Sequence, residues 1–190
     1  MPINSGLSWI GWANTNCTDS ENLEDLDADF KPKVKEFIKA LEAAGATVDV
    51  KDTKRSDKRA YLYHWSWKIA LDKCKASDAT AMAGVDIQWD HSDDAKSKAG
   101  AQEMVTGYGL AVPPQSIYPP SLTSRHISGK AIDMEIAWTG TIKIKNKSGV
   151  DVDCLFNANV NSNATLHTIG ASFGVNKLLD DAPHWSTDGN

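Results

Sequence analysis

Ala131-Ile132-Asp133-Met134-Glu135-Ile136-Ala137-Trp138 alternates residue by residue, with Ile132, Met134, Ile136 and Trp138 on one side and Ala131, Asp133, Glu135 and Ala137 on the other. A period of two marks a strand with one face against a core, so Asp133 projects from the face opposite the apolar one. Just upstream, Ser124-Arg125-His126-Ile127-Ser128-Gly129-Lys130 supplies an imidazole and a glycine. A residue without Cβ permits a tight turn there, which brings His126 back over the carboxylate. Further along, Asp181-Ala182-Pro183-His184-Trp185 adds a second imidazole, stiffened by Pro183 before it and anchored by Trp185 after it.

Two imidazoles and a carboxylate suit a borderline-soft divalent cation, and three protein ligands leave the fourth tetrahedral position open for water. His126, Asp133 and His184 are therefore expected to hold one zinc ion per chain. Asp181, three residues before His184, is not needed as a ligand and is placed to take a proton from water. Glu135 shares the face of Asp133, either as a hydrogen-bond partner of a ligand or as a solvated side chain.

The S-x-H-x-x-G-x-A-x-D block ending at Asp133 and the D-x-x-H-W block ending at Trp185 resemble the zinc peptidases of the LAS group. That group includes VanY-like D-alanyl-D-alanine carboxypeptidases and phage L-alanyl-D-glutamate endopeptidases. The resemblance implies that His126, Asp133 and His184 bind zinc and that Asp181 is the general base. Many carboxypeptidase members carry Glu at the base position, so Asp181 is more similar to the endopeptidases. Upstream, Thr53-Lys54-Arg55-Ser56 running into Arg59 resembles in part the family's Y-R-S turn and the helix after it, with Lys54 in place of the usual aromatic. This implies that Arg55 points into the cleft, where its fork of donors meets a substrate carboxylate or an oxyanion. Ser124, beside His126, is implied to contact substrate or orient the loop.

The expected fold class is α+β: a small central antiparallel sheet carrying the zinc site, flanked by helices, of the LAS or hedgehog-like kind that the resemblance implies. Val34, Phe37, Ile38 and Leu41 repeat at helical spacing, with Asp29 as N-cap and Gly45 as stop. Residues 47–50 read as a strand, residues 57–74 as a helix, and Ala101, Met104, Val105 and Tyr108 as one face of another. Residues 113–120 are proline-rich and extended, residues 141–145 are expected to form a hairpin with the Asp133 strand, and Leu166, Ile169 and Phe173 mark a last helix. Residues 1–190 are expected to be one peptidase domain, with residues 1–28 an N-terminal extension packed on it.

A net charge of −5, with no basic stripe, gives no source of affinity for phosphate backbones, so nucleic acid is excluded as a partner. The other histidines have core or solvated roles: His64 within an aromatic helix, His167 on a helix, and His91 among carboxylates before a helix capped at Ser92 or Asp93. Cys17, Cys74 and Cys154 are odd in number and lack a C-x-x-C, which indicates neither a disulfide framework nor a thiolate metal site. The N-terminal residues have no basic and apolar leader pattern, and nothing spans a membrane.

The expected function is that of a monomeric, zinc-dependent peptidoglycan peptidase. It cuts the cell-wall stem peptide as an endopeptidase or D,D-carboxypeptidase, in a phage lysin or an antibacterial effector. Such a protein is made in the cytoplasm and acts in the periplasm or wall after holin release or dedicated secretion, with delivery machinery or an immunity protein as further partners. The alternatives are an inactive wall-binding module and a dipeptidase acting on free peptides.

Overall fold

A computed structural model describes residues 2–190. In chain order the elements are β1 (Ile3–Asn4), α1 (Ser8–Asn16), α2 (Lys31–Ala43), β2 (Thr47–Asp52), α3 (Asp57–Ala70), β3 (Ile87–Gln88) and α4 (Asp94–Tyr108). They continue with β4 (Ala131–Ala137), β5 (Thr141–Lys145), β6 (Asp151–Leu155), α5 (Ala164–Ser172), β7 (Asn176–Lys177) and β8 (His184–Ser186). The fold is mixed α+β with small sheets. The chain forms two compact units, one from the described residues up to Thr18 with Ser56–Ser124, the other from Asp19–Arg55 with Arg125–Asn190. Among the described residues no helix is long and apolar enough to cross a membrane.

The first unit is helical around an aromatic core of Trp9, Tyr61, Trp65 and Trp89 with Leu62, Ala101 and Met104. Tyr61 and Trp89 bury their polar tips by bonding them: Trp89 Nε1 donates to Tyr61 Oη at 3.0 Å, and that hydroxyl donates to the Thr80 carbonyl at 2.7 Å. Helix α4 starts where Asp93 accepts from the Lys96 amide at 2.9 Å and stops at Gly109 in the left-handed conformation. His91 lies just before it and bonds Ser5 Oγ at 3.0 Å, and His64 Nδ1 bonds the Pro120 carbonyl at 2.8 Å, so both imidazoles are engaged locally.

The second unit is built on a four-stranded antiparallel sheet of order β2-β4-β8-β7, covered on one face by α2 and α5. The face presented by Ile132, Met134 and Ile136 is fully or almost fully buried, whereas Asp133 is half-buried and Glu135 exposed, as the alternation predicts. Helix α2 turns Val34, Phe37, Ile38 and Leu41 into the same core. Its N-terminal boundary residue is Phe30 rather than Asp29, because Asp27 takes the capping turn by accepting from the Asp29 amide at 3.0 Å. The expected hairpin of residues 141–145 with the Asp133 strand does not form. Both edges of β4 are already occupied, by β2 and β8, so β5 pairs with β6 in a separate two-stranded ladder. Six of the seven tryptophans are buried, which makes them core rather than platforms for sugars.

Trp185 on β8 is fully buried, with its ring 5.3 Å from that of Phe37. Gly170 of α5 makes this possible. A Cβ there would stand 2.6 Å from the Trp185 ring and 2.8 Å from the Val175 carbonyl. Gly170→Ala is accordingly expected to lower the unfolding free energy by roughly 1–3 kcal/mol through overpacking, read as a lower midpoint in chemical denaturation. An unchanged or higher midpoint would contradict this packing of α5 on β8.

Candidate metal centre

Asp133 and His184 face each other directly across the β4–β8 ladder. Antiparallel neighbours project to the same face, so this one register puts both side chains on the side of the sheet away from the core. His126 arrives from a short 3-10 turn, Arg125–Ser128. That turn is closed by Gly129, whose φ is +68°, and a Cβ at this position would lie 2.8 Å from the Asp27 amide nitrogen. The glycine thus allows the backbone of residues 25–27 to lie against the loop, with the Asp27 amide donating to the Gly129 carbonyl at 2.9 Å.

Three donor atoms converge. His126 Nε2 lies 3.2 Å from Asp133 Oδ1 and 3.1 Å from His184 Nδ1, and His184 Nδ1 lies 3.1 Å from Asp133 Oδ1. Both imidazoles are buried, and the carboxylate is shielded on most sides. Burial alone would raise the Asp133 pKa, but the hydrogen bonds and charge of His126 and His184 outweigh it and hold the carboxyl well below the usual carboxylate range. Tetrahedral zinc with bonds of about 2.0–2.2 Å separates its ligand atoms by about 3.3 Å, so the triangle needs only slight expansion to take such an ion. The group can hold a metal ion, and its donor set of two nitrogens and one oxygen fits the chemistry of zinc. The outer nitrogen of His184 has a partner as well: Nε2 stands 3.4 Å from the Asn190 carbonyl, which leaves Nδ1 as the lone-pair donor facing the other ligands.

The other expected site residues are placed as follows. Arg55 follows β2 on a turn held by Thr53, whose buried hydroxyl donates to the Ser20 and Asn22 carbonyls at 2.7 and 3.0 Å. The Arg55 amide donates to the His126 carbonyl at 3.2 Å, and its guanidinium pairs with Asp52 at 2.5 Å and Asp19 at 3.9 Å. Burial works against the Arg55 charge, but Asp52 and Asp19 outweigh it and keep the guanidinium firmly protonated. Asp181 is exposed at the tip of the loop before β8, and no hydrogen bond or ion pair among the described residues ties its carboxylate to the three ligands. Ser124 is half-buried and is the last residue of the first unit. Glu135 is exposed and pairs with Lys51 at 3.5 Å, which makes it a solvated residue. His167 bonds the Val160 carbonyl at 2.6 Å.

Two residues here were not expected from the sequence, Asp52 and Lys177. Lys177 on β7 is buried and turns its ammonium back into the 178–184 loop, donating to the carbonyls of Leu178, Asp181 and, at 3.0 Å, His184. It also lies 5.7 Å from the Trp185 ring centre. Burial pulls its pKa down to about 8, partly offset by the charges of Asp181 and Asp133, so it remains mostly protonated at neutral pH. One ammonium thus gathers both ends of the loop that carries Asp181 and His184.

Lys177→Met keeps most of the side-chain volume and leaves these carbonyls unanswered. It is expected to lower the unfolding free energy by roughly 1–3 kcal/mol and to speed proteolytic nicking within residues 178–184. Unchanged stability and unchanged nicking would show that the ammonium does not hold the loop.

No protein-family model, no curated protein and no solved structure matches this chain.

Proposed function

We propose that the protein is a zinc peptidase that hydrolyses a peptide bond in the stem peptide of peptidoglycan, on a fold of the LAS or hedgehog-like kind. The observation that carries this reading is the convergence of His126 Nε2, His184 Nδ1 and Asp133 Oδ1 to within 3.2 Å of one another. The two sequence blocks that contain these residues support it by their resemblance to cell-wall peptidases. His126, Asp133 and His184 would hold the ion, which when bound supplies Lewis-acid activation of water and polarisation of the scissile carbonyl.

The chain's own residues do the rest. Asp181, on the solvent-exposed loop that enters β8, takes a proton from the attacking water and passes it to the leaving amine nitrogen. Its backbone carbonyl is held by two donors, the Lys177 ammonium and the His184 amide, the latter at 3.1 Å. Arg55, clamped by Asp52, keeps a positive charge near Asp133, available to a substrate carboxylate or to the negative charge that develops on the carbonyl oxygen. His184 and His126 are fixed by backbone pairing and by the turn at Gly129, so the ligands need little reorganisation before chemistry. Ser124 is the residue next to this loop proposed to meet the substrate.

Ligand and base are separated by their phenotypes. His126→Ala, Asp133→Ala and His184→Ala should lose both metal and activity. Asp181→Asn should retain about one zinc per chain and lose activity by about 100-fold or more. The assay is mass analysis of purified peptidoglycan after digestion, beside elemental analysis of each variant. New amino termini identify an endopeptidase, and released D-alanine identifies a carboxypeptidase. No product from the metal-loaded wild type, or full turnover in the presence of a strong chelator by metal-free protein, would overturn the proposal.

A further inference from the structure

Strict alternation along β2 assigns Asp52 to the wrong side. Val48 pairs with Ile136 and Val50 with Met134, on the core face, while Asp49 pairs with Glu135 on the other. Continued without a break, that register would set Lys51 opposite Asp133 and Asp52 opposite the fully buried Ile132. The register instead shifts between Val50 and Asp52, and Asp52 becomes the partner of Asp133. A bulge of one residue re-aims every side chain after it. Here it moves a carboxylate from the apolar core to the face that holds the three metal-binding side chains, on the flank of Asp133 opposite His184.

The re-aimed carboxylate is buried, with 7% of its surface exposed. Its Oδ2 lies 2.5 Å from Arg55 Nη2 and 3.8 Å from His126 Nδ1, the ring nitrogen that does not face the other ligands. Its Oδ1 is buried without a hydrogen-bond partner. A carboxylate this deep is sustained by opposite charge, and Arg55 provides it. The distance to His126 is longer than a hydrogen bond but short enough for a direct electrostatic pull on the ring N–H. A metal-bound imidazole becomes a stronger donor at its other nitrogen, and a carboxylate there fixes both its tautomer and its orientation.

We infer that Asp52 is a positioning residue that orients His126 as a metal ligand and Arg55 as a substrate-facing cation, coupling the two through one carboxylate. The inference rests on the zinc-site reading above. It goes beyond that reading by making metal affinity and substrate handling depend on a residue that touches neither metal nor substrate.

The test is the zinc dissociation constant, measured by competition with a chromophoric chelator, for wild type, Asp52→Asn, Asp52→Ala and Asp49→Asn, together with the visible spectrum of each cobalt-substituted protein. Asp52→Ala should weaken zinc binding by about 10- to 100-fold and change the cobalt spectrum. Asp52→Asn, which preserves the shape and an acceptor oxygen, should fall between Ala and wild type. Asp49→Asn, on the exposed side of the same strand, should behave as wild type. KM should rise in the Asp52 variants as Arg55 loses its clamp. If Asp52→Ala does not fold, the isosteric Asn variant carries the comparison. Folded Asp52 variants that bind zinc within about threefold of wild type, with an unchanged cobalt spectrum, would overturn the inference while leaving the zinc site standing. A wild type that binds no zinc would remove the zinc reading and this inference with it.

Discussion

The register of β8 against β4 is the constraint on which the second unit depends. Asp133 opposite His184 and Ile132 opposite Trp185 are consecutive rungs of one ladder. The first rung places two side chains of the candidate metal centre on the open face, and the second drives an indole into the core between α2 and α5. A slip of one residue would exchange the faces, exposing Trp185 and burying His184 among Phe37, Ile169 and Leu166. Burying a large aromatic side chain is worth on the order of 2–3 kcal/mol, so the core itself enforces the geometry of the site. Stability and ligand placement are therefore not separable at this point of the fold.

Charge is handled in the same economical space. Three carboxylates, Asp19, Asp52 and Asp133, surround a group with only one permanent cation among them, Arg55, and two imidazoles. On the far side of β8 the Lys177 ammonium answers backbone carbonyls rather than carboxylates. Two cations accompany the triad of His126, Asp133 and His184: half-buried Arg55, which faces acids, and buried Lys177, which organises the loop. Counted with neutral imidazoles, the form that binds a metal, three carboxylates against two cations leave the site net negative before an ion enters, and a divalent cation is the species that the converging lone pairs favour.

Much of this was legible in the sequence. The alternation through Asp133 gave the strand and its faces, the helical spacing of Val34, Phe37, Ile38 and Leu41 gave α2, and the placement of Gly129 and Trp185 gave the reasons His126 and His184 are held. The metal trio could be read because its ligands sit beside strong local signals. The role of Asp52 was hidden because a bulge leaves no mark in a period-two pattern: the same residues without the shift would point into the core. Lys177 was hidden because a lone lysine between Asn176 and the acids Asp180 and Asp181 reads as solvated, and only the return of the loop carbonyls around it makes it buried. The partner of β5 differs from the expected one because local order favours the preceding strand, whereas β4 is claimed on both edges by segments far away in the chain. Nor does the sequence mark the change of unit between Thr18 and Asp19, within the stretch expected to be one extension.

X-ray absorption at the zinc edge, on protein loaded with one equivalent of zinc, tests the central claim most directly. The account predicts two imidazole shells and light-atom scatterers at about 2.0–2.1 Å with no sulfur contribution, and loss of both imidazole shells in His184→Ala, whose added zinc should give the oxygen-only spectrum of the hydrated ion. A sulfur shell at about 2.3 Å, or a spectrum that His184→Ala leaves unchanged, would place the ion elsewhere and contradict the account.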